Sequence, residues 1–522
     1  MPLALNLSAL TQASAQSTGS GYKALVCIFL AGGNDAFNTV LATDTDSWSA
    51  YTHHRLTSDG SAYIALPAAG VAPDPSAPRS SPNFLGGVLP ISHAGRAVHA
   101  GRQFALHPAL VKTQQMYQAG RVGIIANIGP LTRPTTKSDY TDAAASKPVK
   151  LFSHNDQQST WQTFHPEGTG QGWGGLMGDA LMGGNAINRN ATDADLIQHL
   201  LTCMSPGTGG PWLAGAQVLP YQSSLSAILG LGNASGIYGS LALQSAVATM
   251  MGKLDENGET PVSSESLFAQ DHQAVVRRAL QANALLSSKL GTQGMAPWGT
   301  APADGSTYSA GSDALLQYTS PADGTLKTNN LALQLQMVAR LIDLNRTASL
   351  GMTRQFFMVN LGSFDTHDDQ IANHAERLAQ LDHALDYFDK VLSAMPSLGD
   401  ARSQVTTFTA SDFGRTFTSN GDGTDHGWGA HHFVMGGSVI GTEVYGTFPT
   451  YSAADAEGNF SSADQIQNGI LIPTTSVDHL AYTLGRWMGV AASLLVKSDG
   501  SGILPNLQAF PSSGHDLGCL RA

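Results

Sequence analysis

Residues 405–433 read VTTFTASDFGRTFTSNGDGTDHGWGAHHF, and this stretch decides the fold that the sequence predicts. The β-branched and aromatic residues at 405–409 are typical of a buried strand. The glycine-rich loop that follows carries several charged or metal-binding side chains, namely Asp412, Arg415, Asp425, His426, His431 and His432. Such loops at the ends of apolar strands are typical of open α/β sheets. The alternative is an ordinary glycine-rich surface loop with polar histidines.

Three further apolar runs have the length of buried strands, at 24–30, 122–128 and 355–361. A helix is predicted from His107 to the glycine at 120, and a longer one carries an apolar stripe over 378–392. Shorter elements are a strand or hairpin at 434–441 and a helix capped by 476–479. This order predicts an α/β domain with a mostly parallel sheet and helices on both faces.

The same sequence patterns predict the domain organisation. Residues 1–20 are expected to be a residual signal or tail, and residues 21–522 a single α/β domain. An inserted helical cap is expected at about 185–350, where 265–290 and 331–345 have helical apolar spacing.

The N-terminal segment PLALNLSALTQASAQS resembles the apolar half of a secretory signal, with small residues at 13–15 for cleavage. The basic segment that begins a secretory signal is missing here. We expect a basic segment upstream, such as that of a twin-arginine signal, to complete the signal. The alternative is a loosely docked tail. We therefore expect a periplasmic or secreted protein.

Composition narrows the classes of function. The chain has 27 basic and 39 acidic residues, a net charge of −12, and no cluster of cations interleaved with aromatics. This disfavours nucleic acid as a partner. No stretch is long and apolar enough to predict a membrane span. The three cysteines form no disulfide framework, although one Cys203–Cys519 bridge is an open alternative.

Four predicted strands or loops end in acidic, imidazole or hydroxyl side chains. These are Asp35, Ser153 with His154, Asp365 with His367, and Asp425 with His426. Parallel strands bring their carboxyl ends to one edge, so these groups are expected to converge and to suit divalent metal ions. Each also has a plainer interpretation: Asp35 as a turn residue, Ser153 and Asp365 as helix caps, and Arg415 as a structural ion pair.

Seven motifs in order resemble the sulfatase-like proteins of domain of unknown function family 1501, in the alkaline phosphatase superfamily. They are AGGNDAFNTV (31–40), LHPAL (106–110), SHNDQQSTW (153–161), GSFDTH (362–367), SDFGRT (411–416), GTDHGWG (423–429) and IPTTSVD (472–478). The resemblance implies a three-layer alkaline-phosphatase-like core and two metal ions, zinc, manganese or calcium.

The resemblance also implies ligands for each metal. Asp35, Asp425 and His426 resemble ligands of the first metal, and Asp365 and His367 those of the second, with His374 as a substitute for His367. One of His431 and His432 resembles the last ligand. Trp428 stands where many relatives have a histidine.

For catalysis, the resemblance makes Ser153 the candidate nucleophile, His154 the acid that protonates the leaving group, and Arg415 a clamp on an anionic ester. The cysteine signature of formylglycine sulfatases is absent. We therefore expect an exported metal-dependent hydrolase of phosphate or sulfate esters, on a small molecule, a carbohydrate or a surface polymer. The alternative is a non-catalytic exported binding or assembly protein with the same fold.

Overall fold

The structure, a computed structural model, describes residues 21–55, 64–167, 170–182, 198–225, 286 and 288–521. Its strands are β1 (Lys23–Leu30), β2 (Val40–Ala42), β3 (Leu89–Ile91), β4 (Phe104–Leu106), β5 (Val122–Gly129), β6 (Cys203–Pro206), β7 (Tyr221–Ser223), β8 (Gln317–Thr319), β9 (Leu326–Thr328), β10 (Arg354–Leu361), β11 (Val405–Ser411), β12 (Ala430–Met435), β13 (Val444–Tyr445) and β14 (Thr475–Ser476). Its α-helices are α1 (Ala36–Thr39), α2 (Thr45–His54), α3 (Val111–Gln118), α4 (Lys137–Thr141), α5 (His154–Thr163), α6 (Trp173–Leu181), α7 (Asn330–Thr347), α8 (Gln370–Ser393), α9 (Val477–Met488) and α10 (Ala492–Leu495).

A nine-stranded sheet forms the centre of the fold. Its order is β13–β5–β12–β11–β1–β10–β6–β7, and β14 pairs with β5. Only β12 runs antiparallel to its neighbours among the described pairings of this sheet. The predicted α/β class with a mostly parallel sheet is therefore confirmed.

Both faces of the sheet are buried, as β1 shows. Alternate residues of this strand enter two different apolar cores, because successive side chains point to opposite faces. Ala24, Val26, Ile28 and Leu30 join the core that includes α7 and α8, whereas Leu25, Cys27 and Phe29 join the core that includes α5, α6 and α9. The sheet thus lies between two helical layers.

The four long strands lie where the sequence predicts them, as do the helices α7, α8 and α9. Ser476 caps α9 in a capping box with His479. The helix predicted from His107 begins only at Val111, because His107 forms a turn in which its Nδ1 accepts the N–H of Ala109 at 3.0 Å. The strand predicted at 434–441 is wrong in its bounds: β12 spans Ala430–Met435, so it includes both neighbouring histidines.

Several predictions fall wholly or partly outside the described residues. These are the N-terminal segment 1–20 and most of the helix predicted at 265–290. In the range assigned to an inserted cap, β6 and β7 extend the central sheet and α7 packs on one face of it. Cys27, Cys203 and Cys519 are buried free thiols, so the Cys203–Cys519 bridge is not formed. Within the described part of the chain, no helix has the length and apolar character to cross a membrane.

Candidate metal centre

The candidate site lies at the carboxyl end of three neighbouring strands. Leu30 at the end of β1 is in register with Leu361 of β10 and with Ser411 of β11. The loops that follow these strands therefore leave the sheet at the same edge. That edge brings together side chains from distant parts of the sequence.

Two glycines allow these loops to touch each other. Gly32 has a φ of +120°, and a Cβ atom there would lie 2.4 Å from the backbone nitrogen of Asp365. A Cβ atom on Gly423 would lie 2.2 Å from the carbonyl oxygen of His367. A larger residue at either position would push the loop after β10 away from its neighbours.

Three of the side chains offer ligand atoms within 4.8 Å of one another: His154, Asp365 and His426. The Nε2 atoms of His154 and His426 are 3.1 Å apart. The carboxylate of Asp365 lies 3.4 Å from Nε2 of His154 and 3.3 Å from Nε2 of His426. An imidazole–carboxylate–imidazole group of this kind is a typical divalent-metal ligand set.

His367 joins this group from the loop after β10. Its Nε2 lies 3.0 Å from Nε2 of His426 and 3.1 Å from Oδ1 of Asp365. We define the cluster as His154, Asp365, His367 and His426. The cluster therefore has three imidazoles and one carboxylate.

The opposite nitrogen of each ring has an oxygen acceptor. Nδ1 of His154 lies 2.7 Å from Oδ2 of Asp412, and Nδ1 of His426 lies 2.7 Å from the carbonyl oxygen of Phe152. Nδ1 of His367 lies 3.2 Å from Oδ1 of Asp425. A proton on each Nδ1 satisfies these contacts and leaves the Nε2 lone pair free, which is the tautomer of a histidine that binds metal.

This arrangement fits a cation better than a shared proton. Nε2 of His426 has a single lone pair, which can accept one proton, yet two other imidazole nitrogens approach it within 3.1 Å. A divalent ion bound at about 2.0–2.1 Å by tetrahedral ligands separates those ligands by about 3.3 Å. Five of the six ligand pairs in the cluster have described separations, and these, 3.0 to 3.4 Å, are close to that value. The ligand atoms that all lie near one another are those of His154, Asp365 and His426.

The charges and burial around the cluster shift the pKa values of its members in different directions. Burial lowers the pKa of His426, which keeps this ring neutral at neutral pH. The hydrogen bond with Asp412 raises the pKa of His154 and so makes that ring more basic. Burial acts to raise the pKa of Asp365, but the hydrogen bond and charge of Arg415 outweigh it and the pKa lies below its ordinary value.

The family comparison matches part of this chain. Residues 314–497 match a family model described as Protein of unknown function (DUF1501). This match supports a relationship between the chain and the DUF1501 family. The DUF1501 segment contains Asp365, His367 and His426, whereas His154 lies outside it. The family description names no reaction, and no curated protein matches the chain.

Within the DUF1501 segment, Arg415 lies behind the cluster. Its side chain has no exposed surface, and its Nη1 donates to Oδ1 of Asp365 at 2.8 Å. The contacts of Arg415 therefore orient a cluster carboxylate. The sequence predicted that Arg415 clamps an anionic ester. A substrate could make that contact only by reaching a buried guanidinium.

Asp35 lies before the DUF1501 segment and is separate from the cluster. It caps the short helix α1, and its buried carboxylate forms an ion pair with Arg55, with Oδ2 2.5 Å from Nη1 and Oδ1 3.0 Å from Nη2. Gln370 donates to the same carboxylate at 2.6 Å. His374, the substitute ligand, instead places its Nε2 2.9 Å from Oδ1 of Asn34.

Ser153 also lies before the DUF1501 segment, at the N-cap position of α5. Its hydroxyl donates to Oδ2 of Asp156 at 2.7 Å. The next residue, His154, is the one whose side chain reaches the cluster. The structure thus assigns His154 contacts expected of a ligand, whereas the sequence predicted a proton donor.

His431 and His432 are on β12, and their side chains point to opposite faces of the sheet. His431 stacks on Phe448 and its Nδ1 accepts the N–H of Asn127 at 3.0 Å. Nδ1 of His432 lies 3.1 Å from the hydroxyl of Thr409. Burial lowers the pKa of both rings to about 3. Neither ring has a described contact with the cluster.

Two supporting groups were not assigned a role from the sequence. Asp412 follows β11 within the opening motif, is fully buried and also accepts from Gly32 N–H at 3.1 Å and Gln158 Nε2 at 2.9 Å. Its position directly after the last residue of β11 is the sequence feature that could have identified it. Phe152 contributes only a backbone carbonyl from a residue with a φ of 72°, and no side-chain pattern reveals such a group.

Proposed function

We propose that this protein is a metal-dependent hydrolase of phosphate or sulfate esters, with one divalent ion held by the cluster. The observation that carries the proposal is the convergence of three Nε2 atoms and one carboxylate, with every Nδ1 directed to an acceptor. When bound, such an ion lowers the pKa of a water molecule and polarises an ester oxygen.

The protein's own groups then have three tasks. Asp412, Asp425 and the Phe152 carbonyl hold the rings in the tautomer that presents Nε2. Arg415 fixes the orientation of Asp365. The cluster side chains are between 23% and 44% exposed, which leaves room for a substrate to approach from solvent.

Export to the periplasm or the cell exterior is also part of the proposal. It rests on the low share of charged residues, 13%, and on the apolar N-terminal segment of the sequence.

The experiment is hydrolysis of an aryl phosphate and an aryl sulfate by the purified protein, with and without a chelator. His426→Ala is the test variant, and His53→Ala, which changes an exposed histidine, is its control. We expect hydrolysis that the chelator and His426→Ala both abolish and that His53→Ala retains. Hydrolysis that survives His426→Ala would contradict the proposed centre.

One observation favours a second candidate, an exported binding or assembly protein that uses the metal without catalysis. Four exposed carboxylates lie on the loops after β10 and β11, which carry three of the four cluster residues: Asp368, Asp369, Asp422 and Asp425. The backbone N–H of Asp369 donates to Asp422 at 3.2 Å, which joins the loops. This negative rim repels an anionic ester and attracts a cationic partner. A metal-loaded protein that hydrolyses neither ester would support this candidate.

A further inference from the structure

A second charged site lies beside the cluster and is entirely buried. Asp35 and Arg55 both have no exposed side-chain surface. An ionised carboxylate has about four lone-pair positions for hydrogen bonds. Here four donors approach it: Arg55 Nη1 at 2.5 Å, Gln370 Nε2 at 2.6 Å, Arg55 Nη2 at 3.0 Å and the N–H of Phe37 at 3.1 Å.

The guanidinium of Arg55 is fixed in this position. Its Nη2 also donates to the carbonyl oxygen of Thr416 at 3.1 Å, and its centre lies 5.1 Å from the ring of Phe37. It faces three oxygen atoms, two from the carboxylate and one from the backbone. Oxygens of these types are the ligands that hard divalent cations take.

We propose that Arg55 is a built-in cation that occupies the place of a second metal ion at Asp35, so that the protein holds one metal and not two. This inference rests on the single-metal centre of the proposed function. The two-metal expectation from the sequence does not fit these contacts, because the carboxylate of Asp35 has no free acceptor position. His431 does not supply the missing ligand, since its Nδ1 accepts a backbone N–H and its proton is therefore on Nε2.

The test uses proteins that all carry His426→Ala, so that metal binding at Asp35 is measured without metal binding at the cluster. Arg55→Ala leaves the three oxygens without a cation, whereas Arg55→Lys keeps a positive charge there. Bound Mn²⁺ is measured by equilibrium dialysis and elemental analysis. We expect Arg55→Ala to gain one Mn²⁺ per chain, Arg55→Lys to gain none, and Asp35→Asn to abolish the gain.

Three outcomes would overturn the inference. One is the absence of a gain in Arg55→Ala. Another is binding of Mn²⁺ by the His426→Ala protein with Arg55 intact, if that binding disappears when Asp35→Asn is added. The third outcome is used if Arg55→Ala does not fold, and it compares the metal content of the unchanged protein with that of Asp35→Asn. We expect one metal per chain in each protein. Two metals in the unchanged protein and one in Asp35→Asn would overturn the inference. Absence of metal from the cluster of the unchanged protein contradicts the proposed function alone, because the Arg55 comparison does not use that cluster.

Discussion

The Nε2 atoms of His154 and His426 lie 3.1 Å apart, although an oxygen acceptor already occupies the Nδ1 side of each ring. Two neutral rings in that tautomer present lone pairs to each other, which is repulsive. A cation between them changes the repulsion into two attractive contacts. This pair of residues is therefore the strongest reason to place a metal at the cluster.

Loss of the buried acceptor of His154 should weaken metal binding. Asp412→Asn removes the charge that holds His154 in its tautomer, and we expect a 10- to 100-fold loss of affinity, about the effect of supporting groups at metal sites. Competition with a chromophoric chelator measures it. Asp425→Asn is the matched comparison, because Asp425 supports His367 but is 52% exposed. Its effect should be smaller, and equal effects would contradict the importance of burial.

Ser153→Ala tests whether the hydroxyl is a nucleophile. The Ser153 hydroxyl donates to Asp156 and has no described contact with the cluster. We expect unchanged metal content and a loss of kcat/KM below about tenfold, or roughly 1.4 kcal/mol. Hydrolysis of the better aryl ester measures the loss. A drop of about a thousandfold or more with metal retained would instead assign the nucleophile to Ser153.

Removal of Arg55 should destabilise the fold in chelator-treated protein. Arg55→Met leaves the carboxylate of Asp35 buried without its counter-ion, and we expect the free energy of unfolding to fall by about 3–5 kcal/mol. Urea denaturation measures this change. Lys390→Met is the control, because Lys390 is 68% exposed in its ion pair with Asp386 and such surface pairs contribute about 0–1 kcal/mol. Similar losses in both variants would contradict the account of Asp35.

Asp478 should make stability depend on pH in a defined direction. Burial raises the pKa of Asp478 to about 7 from its ordinary value of 3.8. Because the folded-state pKa is the higher one, its favourable contribution is complete below 3.8 and is lost as the pH rises to 7. Asp478→Asn should therefore gain stability relative to the unchanged protein over that range, by about 4 kcal/mol.

Denaturation at several pH values between 4 and 8 measures the difference between the two proteins. Asp382→Asn provides a comparison, because burial raises the pKa of Asp382 only to about 6. Its difference should level off about one pH unit earlier. A difference for Asp478→Asn that does not change with pH would contradict the assigned pKa.

The elements of the fold were predictable because they depend on local patterns. The apolar run at 24–30 identifies a strand buried on both faces, and the spacing over 378–392 identifies α8. The bounds of β12 were not predictable, since His431 and His432 look like loop residues. Their burial depends on pairing with β5, about 300 residues earlier in the chain.

The site was predictable only in part. Asp365, His367 and His426 follow strands, and the parallel register brings them together. Asp35 follows β1 in the same way, but it pairs with Arg55, the C-cap residue of α2. Nothing in the spacing of the two residues shows this contact. His154 was predicted as the acid that protonates a leaving group, and its contacts with His426 and Asp365 depend on tertiary packing that the sequence does not show.

Elemental analysis of the protein purified without chelator tests the central claim most directly. The same measurement is made on His426→Ala and on His53→Ala. The account predicts one divalent metal per chain in the unchanged protein and in His53→Ala, and none in His426→Ala. An unchanged protein that holds no metal even after incubation with zinc, manganese and calcium, or equal metal in His426→Ala, would contradict it.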